Sequence, residues 1–590
     1  MSFDLDDDQS MAVAIDAQAI LVTASAGSGK TEIVARRVER LLSETATPTA
    51  RVLAVSYTVK AAEELRARFD GRLGEAARRV DTETLHGFAH NLIRKYGTWI
   101  GLPQEVGVVT RQEDRVELLD RWLRSEGRDL SEQELREVLS QLDWASARRQ
   151  QGAPFHKEWN AALAESGVLD FSAMLERATE LLSTPSVHRQ LGRLYAHVIV
   201  DEAQNLTEAQ LELLQVLCGG PPVPATPLML VGDAKQSIVE FSGADPELLN
   251  RFKEEYEATS IHLTRNYRSA EAIVRLGDRV AVELGSSVSP ADVVYPAAGW
   301  IGTNESSDEN SEGRAVADWI ENLLEEGLPI DAIAPGEERS LAAEQIAVLG
   351  RSAASLRATE AALGLMGVDV ATAVRLEDWV TSRPGQVVAE LLGWRSAPSD
   401  AGGWELCRLL GADLDTVLNV TSIAQLLARH EDCEPLAALL GAATPADFTA
   451  LLADISIEGP DWDADRREIV RAWERFVLRT DVADRTWSGF RAFITRMQRG
   501  SDATPGVRLL TVHKAQGREY RAVAVVGLNE GQFPDFRAKS EKEHRAEVRA
   551  FYVAVTRPAR ALLLSRARQR DSRAGPWATQ ASEFLSFLKT

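Results

Sequence analysis

The sequence predicts an α/β protein with two largely parallel sheets, each interrupted by a helical insertion. Three observations carry this. Short β-rich apolar runs alternate with helical periods, the pattern of repeated strand–helix–strand units. The runs fall in two groups, one before residue 270 and one after residue 340. At 590 residues the chain exceeds what one compact core accommodates. In order, the strand candidates are Ala19–Thr23, Val52–Ser56, His197–Val200 and Leu228–Val231, then Ile346–Leu349, Val507–Thr511, Ala522–Val526 and Ala561–Leu564. Residues 88–190 and 385–500 read almost wholly as helix and split the two groups. This places a first core at 1–87 with 191–267, and a second at 268–384 with 501–590. The polar, acidic run from Thr303 to Glu312 reads as a solvated loop.

Composition narrows the function classes. Hydrophobic residues make up 45% and charged residues 26%, the balance of a globular protein rather than a disordered or fibrous one. Cys218, Cys407 and Cys433 lack paired spacing, which argues against a disulfide framework or a zinc or iron–sulfur site and fits a reducing cytoplasm. No charged-then-apolar leader opens the chain and no apolar run reaches spanning length, so no membrane association is expected. The formal charge of −22 weighs against non-specific phosphate affinity. Local cations in a groove can reverse that field even on an acidic protein.

Ala24-Ser25-Ala26-Gly27-Ser28-Gly29-Lys30-Thr31 follows a strand and opens a helical pattern, the context a phosphate-binding loop requires. Its small residues let backbone N–H groups face phosphates, and the helix N-terminus adds positive potential. Lys30 is suited to the β and γ phosphates, and the Thr31 hydroxyl to Mg²⁺. Asp201 and Glu202 end an apolar strand, where adjacent acids are costly unless a cation or a reacting water uses them. Asp201 suits the Mg²⁺ shell and Glu202 the activation of water. Taken alone, the pair reads equally well as an ordinary cap for the following helix.

These segments continue in order with Val231-Gly232-Asp233-Ala234-Lys235-Gln236-Ser237-Ile238 and Asn266-Tyr267-Arg268-Ser269. Thr511-Val512-His513-Lys514-Ala515-Gln516-Gly517-Arg518-Glu519-Tyr520 and Phe551-Tyr552-Val553-Ala554-Val555-Thr556-Arg557 complete the series. The set resembles the superfamily 1 DNA helicases of the UvrD, Rep, PcrA and AddA kind over nearly the whole chain, Leu169-Asp170-Phe171 included. The resemblance implies two RecA-like phosphate-loop cores closing on ATP and Mg²⁺. It implies that Gln9 reads adenine, Tyr267 stacks on it, Glu519 lies near the ribose and Gln236 senses the γ-phosphate. Arg268 and Arg557 would approach the γ-phosphate, Arg557 as an in-chain arginine finger. Tyr57, Lys60, His86, Phe241 and His513 would contact single-stranded DNA, the aromatics by stacking on bases.

Three positions depart from the family pattern. Val239 stands where relatives carry tyrosine, Ser242 where they carry arginine, and Gln516 where many carry lysine. The expectation is an ATP-dependent 3′-to-5′ DNA helicase or translocase acting on single-stranded DNA and duplex junctions. Its setting would be repair, recombination or defence, and its polarity is implied by the resemblance alone. The second reading is an ATP-responsive DNA-binding subunit of a nuclease or repair complex with little unwinding of its own.

Overall fold

A computed structural model describes residues 4–372, short breaks at 45–46, 48, 104–105, 110–111, 151–153 and 286–290 aside. It also describes 506–588 apart from 573–574, and separate stretches between 388 and 498. Two compact units divide the chain, residues 1–362 with 511–590 and residues 363–510.

In the larger unit the first strands are β1 (Ala19–Ala24), β2 (Arg51–Val55) and β3 (Val80–Glu83). The short pair β4 (Gly107–Val108) and β5 (Val168–Leu169) follows, then β6 (Tyr195–Val200), β7 (Leu228–Gly232) and β8 (Thr259–Leu263). The six longer strands form one parallel sheet in the order β3-β2-β6-β7-β1-β8. Central strands of such a sheet are covered on both faces, which is why β1 and β7 read as unbroken apolar runs. Ile20, Val22, Ile199 and Val231 pack with Ile33, Val34 and Val38 of the helix that follows β1. The expected insertion at 88–190 is helical, with β4 and β5 pairing inside it.

The order of strands positions the site. The chain leaves β1 at residue 24, β6 at 200, β7 at 232 and β8 at 263, all at the carboxyl edge of neighbouring strands. Ligands of open α/β sheets bind at that edge.

Beyond β9 (Arg265–Asn266) and β10 (Asp292–Val293), which pair with each other, a second sheet begins with β11 (Trp300–Asp308) and β12 (Ile346–Gly350). In the smaller unit β13 (Val370–Thr372) and β14 (Val507–Thr511) pair in parallel. There the rings of Trp473, Phe476 and Phe490 pack together. Most of the insertion expected at 385–500 lies outside the described residues. Back in the larger unit, β15 (Tyr520–Val526), β16 (Pro558–Ser572) and β17 (Gly575–Ala578) complete the series. There the order runs β11-β16-β15-β12, all parallel, with β17 antiparallel to the end of β16.

The run from Thr303 to Glu312 is not a solvated loop. Residues 300–308 form the edge strand β11, paired with β16, and a helix starts at Glu309. Its polarity has two origins. An edge strand shows one face to water, so polar residues alternate along it. The acids at its end have partners: Asp308 caps the helix by accepting from the Ser311 N–H at 2.9 Å. Glu312 is buried against Arg570 and accepts from the Gly527 N–H at 3.1 Å.

Two helices border the loop that leaves β1: α1 (Asp7–Ala14) and α2 (Lys30–Glu44). Arg37 of α2 is buried and donates to the carbonyls of Ala12, Val13 and Ile15 at 3.0, 3.2 and 3.0 Å, capping the C-terminal end of α1. Burial lowers its guanidinium to about 10, which leaves it charged at neutral pH.

Candidate functional site: a nucleotide cleft and a groove beside it

A cavity of about 450 Å³ opens at the carboxyl edge of the first sheet. Its floor is the loop between β1 and α2. Gly27 and Gly29 hold φ of +78° and +84°, a region other residues rarely enter. A side chain at Gly27 would also collide with Asn266, 2.8 Å from where a Cβ would lie. That asparagine ties the loop down by donating from Nδ2 to the Ala26 carbonyl at 2.7 Å. Lys30 folds back over the loop, its Nζ donating to the Ala24 carbonyl at 3.3 Å.

One wall comes from α1. Asp6 caps that helix, accepting from the Gln9 N–H at 2.7 Å, and the Gln9 side chain donates to the Ser28 carbonyl at 3.0 Å. Asp6 also accepts from the Tyr267 hydroxyl. Burial, then this carboxylate, push the Tyr267 phenol up to about 12, so the ring stays neutral and a donor.

The acidic side holds Asp201 and Glu202. Burial, then the neighbouring Glu202 charge, push the Asp201 carboxyl well above the usual carboxylate range, while Lys30 pulls it down. Its Oδ1 accepts from the Glu202 N–H at 2.9 Å. Glu202 itself holds φ of +54°, an uncommon left-handed backbone for a residue with a side chain, which turns it toward the cavity. Gln204 donates to Glu202 Oε2 at 2.5 Å and accepts the Asp233 N–H at 3.0 Å. Asp233 is fully buried; despite that burial, Lys235 and Lys30 hold its carboxyl below its ordinary value. Gln236 donates to Asp233 Oδ2 at 2.8 Å.

The opposing wall comes from the amino ends of the second sheet, Gly517 and Glu519 just before β15 and Arg557 just before β16. Arg557 is 2% exposed and donates to Gln236 Oε1 at 2.8 Å, to the Val553 carbonyl at 3.0 Å and to the Arg518 carbonyl at 3.0 Å. Burial, then the Arg268 charge, lower it to about 10, so it remains cationic at neutral pH. Arg268 pairs with Glu519 at 3.1 Å and donates to the Thr556 carbonyl at 2.6 Å. Lys30 and Arg557, far apart in sequence, therefore line one cavity.

A second cavity of about 500 Å³ lies between the first sheet and the helical insertion. Tyr57 and His86 line it with Trp144, Phe171 and Ser242. The His86 and Phe171 rings meet edge to face at 5.2 Å, and burial lowers His86, keeping it neutral. Trp144 and Phe171 are 39% and 47% exposed, unusual for large aromatics and suited to stacking on a flat ligand.

The sequence matches the UvrD/REP helicase N-terminal domain over residues 5–257 and the UvrD-like helicase C-terminal domain over residues 490–569. It is 25% identical to the DNA helicase II of Haemophilus influenzae, across 99% of this chain and 87% of that protein. It is 26% identical to the ATP-dependent DNA helicase UvrD1 of Mycobacterium tuberculosis, across 98% and 84%. The DNA helicase II of Escherichia coli is likewise 26% identical, across 96% and 85%. The chain belongs to the UvrD family of DNA helicases.

As an ATP-dependent DNA helicase, the protein presents groups that fit Mg²⁺-ATP. Thr31 lines the cavity, and Asp201, buried one residue before the lining Glu202, is not itself among the lining residues; a hydroxyl and a carboxylate are the hard oxygen donors such a cation takes. Among the described residues no cluster of three or more His, Cys, Asp or Glu side chains forms a cage. A cation held by two protein oxygens plus phosphates needs none. Among the described residues, no helix is long and apolar enough to cross a membrane.

The cleft brings together Gln9, the loop from Ser25 to Thr31, Glu202, Gln236, Tyr267, Arg268, Glu519 and Arg557. The residues named for DNA are more scattered. Tyr57 and His86 share the groove, but Lys60 pairs with Glu64 at 3.6 Å on its own helix. His513 does not join His86: it hydrogen-bonds the Ile238 backbone beside Arg351 and Glu547. The Phe241 side chain lies outside the described residues. Two residues escaped sequence reasoning. Arg68 lines the nucleotide cavity, and its place at mid-helix Val59–Leu73 gave no local signal. Trp144 lies in helix Glu132–Ala147, where an aromatic ordinarily reads as core.

Proposed function

We infer that this helicase moves 3′-to-5′ along single-stranded DNA by closing the walls of the nucleotide cleft on Mg²⁺-ATP. The observation that carries this reading is the shared cavity of Lys30 and Arg557. In this mechanism Gln9 and Tyr267 bind the adenine by edge pairing and stacking, and Glu519 lies toward the ribose. The amides of the 24–29 loop and Lys30 hold the phosphates, with Thr31 and Asp201 as the protein ligands of Mg²⁺. Bound there, the ion neutralises phosphate charge. Glu202 orients the attacking water and accepts its proton. Arg268 and Arg557 balance the charge that develops on the transferring phosphoryl group, and Gln236, bonded to Arg557, registers its departure.

The bases of the strand stack in the groove among Tyr57, His86, Trp144 and Phe171. Asp143, Asp170 and Glu176 line the same groove against Arg115, so the phosphates run along its rim and the bases turn inward. That acidic lining, with Ser242 in place of a cation, also supports the second reading, an ATP-responsive subunit that unwinds little without a nuclease or repair partner.

Strand displacement on 3′-tailed and 5′-tailed duplexes tests both. Unwinding of the 3′-tailed duplex alone is the expected result. Unwinding only from a 5′ tail overturns the polarity, and DNA-stimulated ATPase without displacement favours the second reading.

A further inference from the structure

One short loop connects the two cavities. Gln236 lines the nucleotide cleft and Ser242 lines the groove, so the loop between them spans from one ligand site to the other. It is built from two separate 3-10 turns, Ala234–Gln236 and Glu240–Ser242. Side chains that arrive from far along the chain hold its backbone. Gln516 donates to the Gln236 carbonyl at 2.9 Å, and Arg549 donates from Nε to the Ser237 carbonyl at 3.0 Å. His513 hydrogen-bonds the backbone of Ile238. The Arg549 guanidinium also pairs with Glu240, the two side chains only 12% and 14% exposed. Consecutive residues of the loop are thus gripped from the segment that also carries Arg557.

Arg549 stands on helix Glu541–Val555, roughly two turns before Arg557. Arg557 lies two residues beyond the end of that helix but donates back to the Val553 carbonyl in its last turn, so a displacement of Arg557 that carries the helix also moves Arg549, and with it the Ser237 carbonyl and Glu240. Ser237 gives a second sign that the loop has another arrangement. Its hydroxyl is completely buried and has no hydrogen-bond partner. A buried hydroxyl left unpaired is unfavourable, and a shift of the loop can supply its partner.

We propose that Arg549 is a positioning residue that transmits the state of the nucleotide cleft to the DNA groove, acting through Glu240 and the Ser237 carbonyl. It lines neither cavity. The inference rests on the function proposed above. It locates the coupling in a specific ion pair, one that holds the loop where Val239 and Ser242 depart from the family pattern.

The test compares single-stranded DNA affinity in two states, nucleotide-free and with Mg²⁺ and a non-hydrolysable ATP analogue, by anisotropy of a labelled oligonucleotide. The ratio of the two affinities is the coupling between sites, typically about 5- to 150-fold. Arg549→Lys keeps a cation beside Glu240 but cannot also donate a guanidinium N–H to Ser237. Glu240→Gln keeps an acceptor of the same shape without the charge. Both variants are expected to lower the ratio at least ~5-fold toward unity. Their Tm and DNA-free ATPase rate should stay near those of the unaltered protein.

A ratio unchanged in both variants overturns the proposal. Equal loss of affinity in both states together with a lowered Tm also overturns it, since that is what a purely structural ion pair gives. Failure of the unaltered protein to bind single-stranded DNA in either state would refute the groove reading, and this inference with it.

Discussion

Glu202→Gln removes one proton acceptor and one charge while leaving size and shape in place, and the structure sets out what each loss does. As general base the carboxylate is worth about 10²- to 10⁴-fold in rate, so turnover should fall by about 3–5 kcal/mol of barrier. The hydrogen bond from Gln204, 2.5 Å long, can be kept, because a glutamine oxygen accepts it as well. The left-handed backbone at φ +54° is equally unfavourable for Glu and Gln, at about 1–2 kcal/mol, so stability should barely move on that account. The neighbouring acid should respond in the opposite sense. After burial, the Glu202 charge is the next cause holding the Asp201 carboxyl up; without it Asp201 ionises more readily and offers the cation a better ligand. Nucleotide affinity is therefore expected to hold or tighten while turnover collapses. Single-turnover hydrolysis with saturating single-stranded DNA, and equilibrium titration with a fluorescent ATP analogue and Mg²⁺, measure the two quantities separately. Turnover within tenfold of the unaltered rate would refute the base assignment. So would a loss of affinity that accounts for the whole fall in rate.

Arg557→Ala should lower DNA-stimulated turnover by about 10³-fold or more. It should also lower Tm, since Gln236, Val553 and Arg518 each lose a donor; a fall in nucleotide affinity with turnover intact would contradict the finger role. Asp201→Asn should stabilise the nucleotide-free protein by about 1–2 kcal/mol and abolish metal-dependent turnover. The sign follows from the raised carboxyl, which lets the folded state bind a proton that the unfolded chain gives up. Its contribution is full below the unfolded value of about 3.9 and is lost as pH rises through the folded value. Thermal melts from acid to neutral pH should therefore converge for the two proteins at low pH, and divergence there would contradict this account. Gln9→Ala should erode preference for ATP over GTP by about tenfold, read from KM for each nucleotide, and unchanged preference would remove Gln9 from base reading. Trp144→Ala should weaken single-stranded DNA binding by about 1–3 kcal/mol, measured by anisotropy, and an unaltered Kd would exclude the ring from the groove's contacts.

The nucleotide cleft was legible because its chemistry is local. A phosphate loop must have small residues beside a lysine, so Gly27 to Thr31 announce themselves in a few letters, and it is beside that loop that the acids Asp201 and Glu202 read as more than a helix cap. The groove was not, because its lining comes from helices whose side chains have no obligatory spacing. Phe171 stood within a recognised landmark, whereas Trp144 had only its residue type to speak for it. His513 shows what motif position leaves out: the sequence holds no local sign that this histidine lies against the Ile238 backbone, a partner more than two hundred and fifty residues away. The β11 run failed for a different reason. Polar letters on a one-sided edge strand resemble those of a loop, and the burial of Glu312 depends on Arg570, which no window around residue 312 contains.

Arg37 turns the opening helix and the phosphate loop into a single mechanical piece. Deleting residues up to Ala14 would strip two of its three carbonyls, those of Ala12 and Val13, from a buried guanidinium, and an undercompensated cation inside α2 would loosen the helix on which Lys30 begins. Trimming this end should therefore cost the enzyme its grip on triphosphate as well as its choice of base, and any engineered shortening must take Arg37 with it.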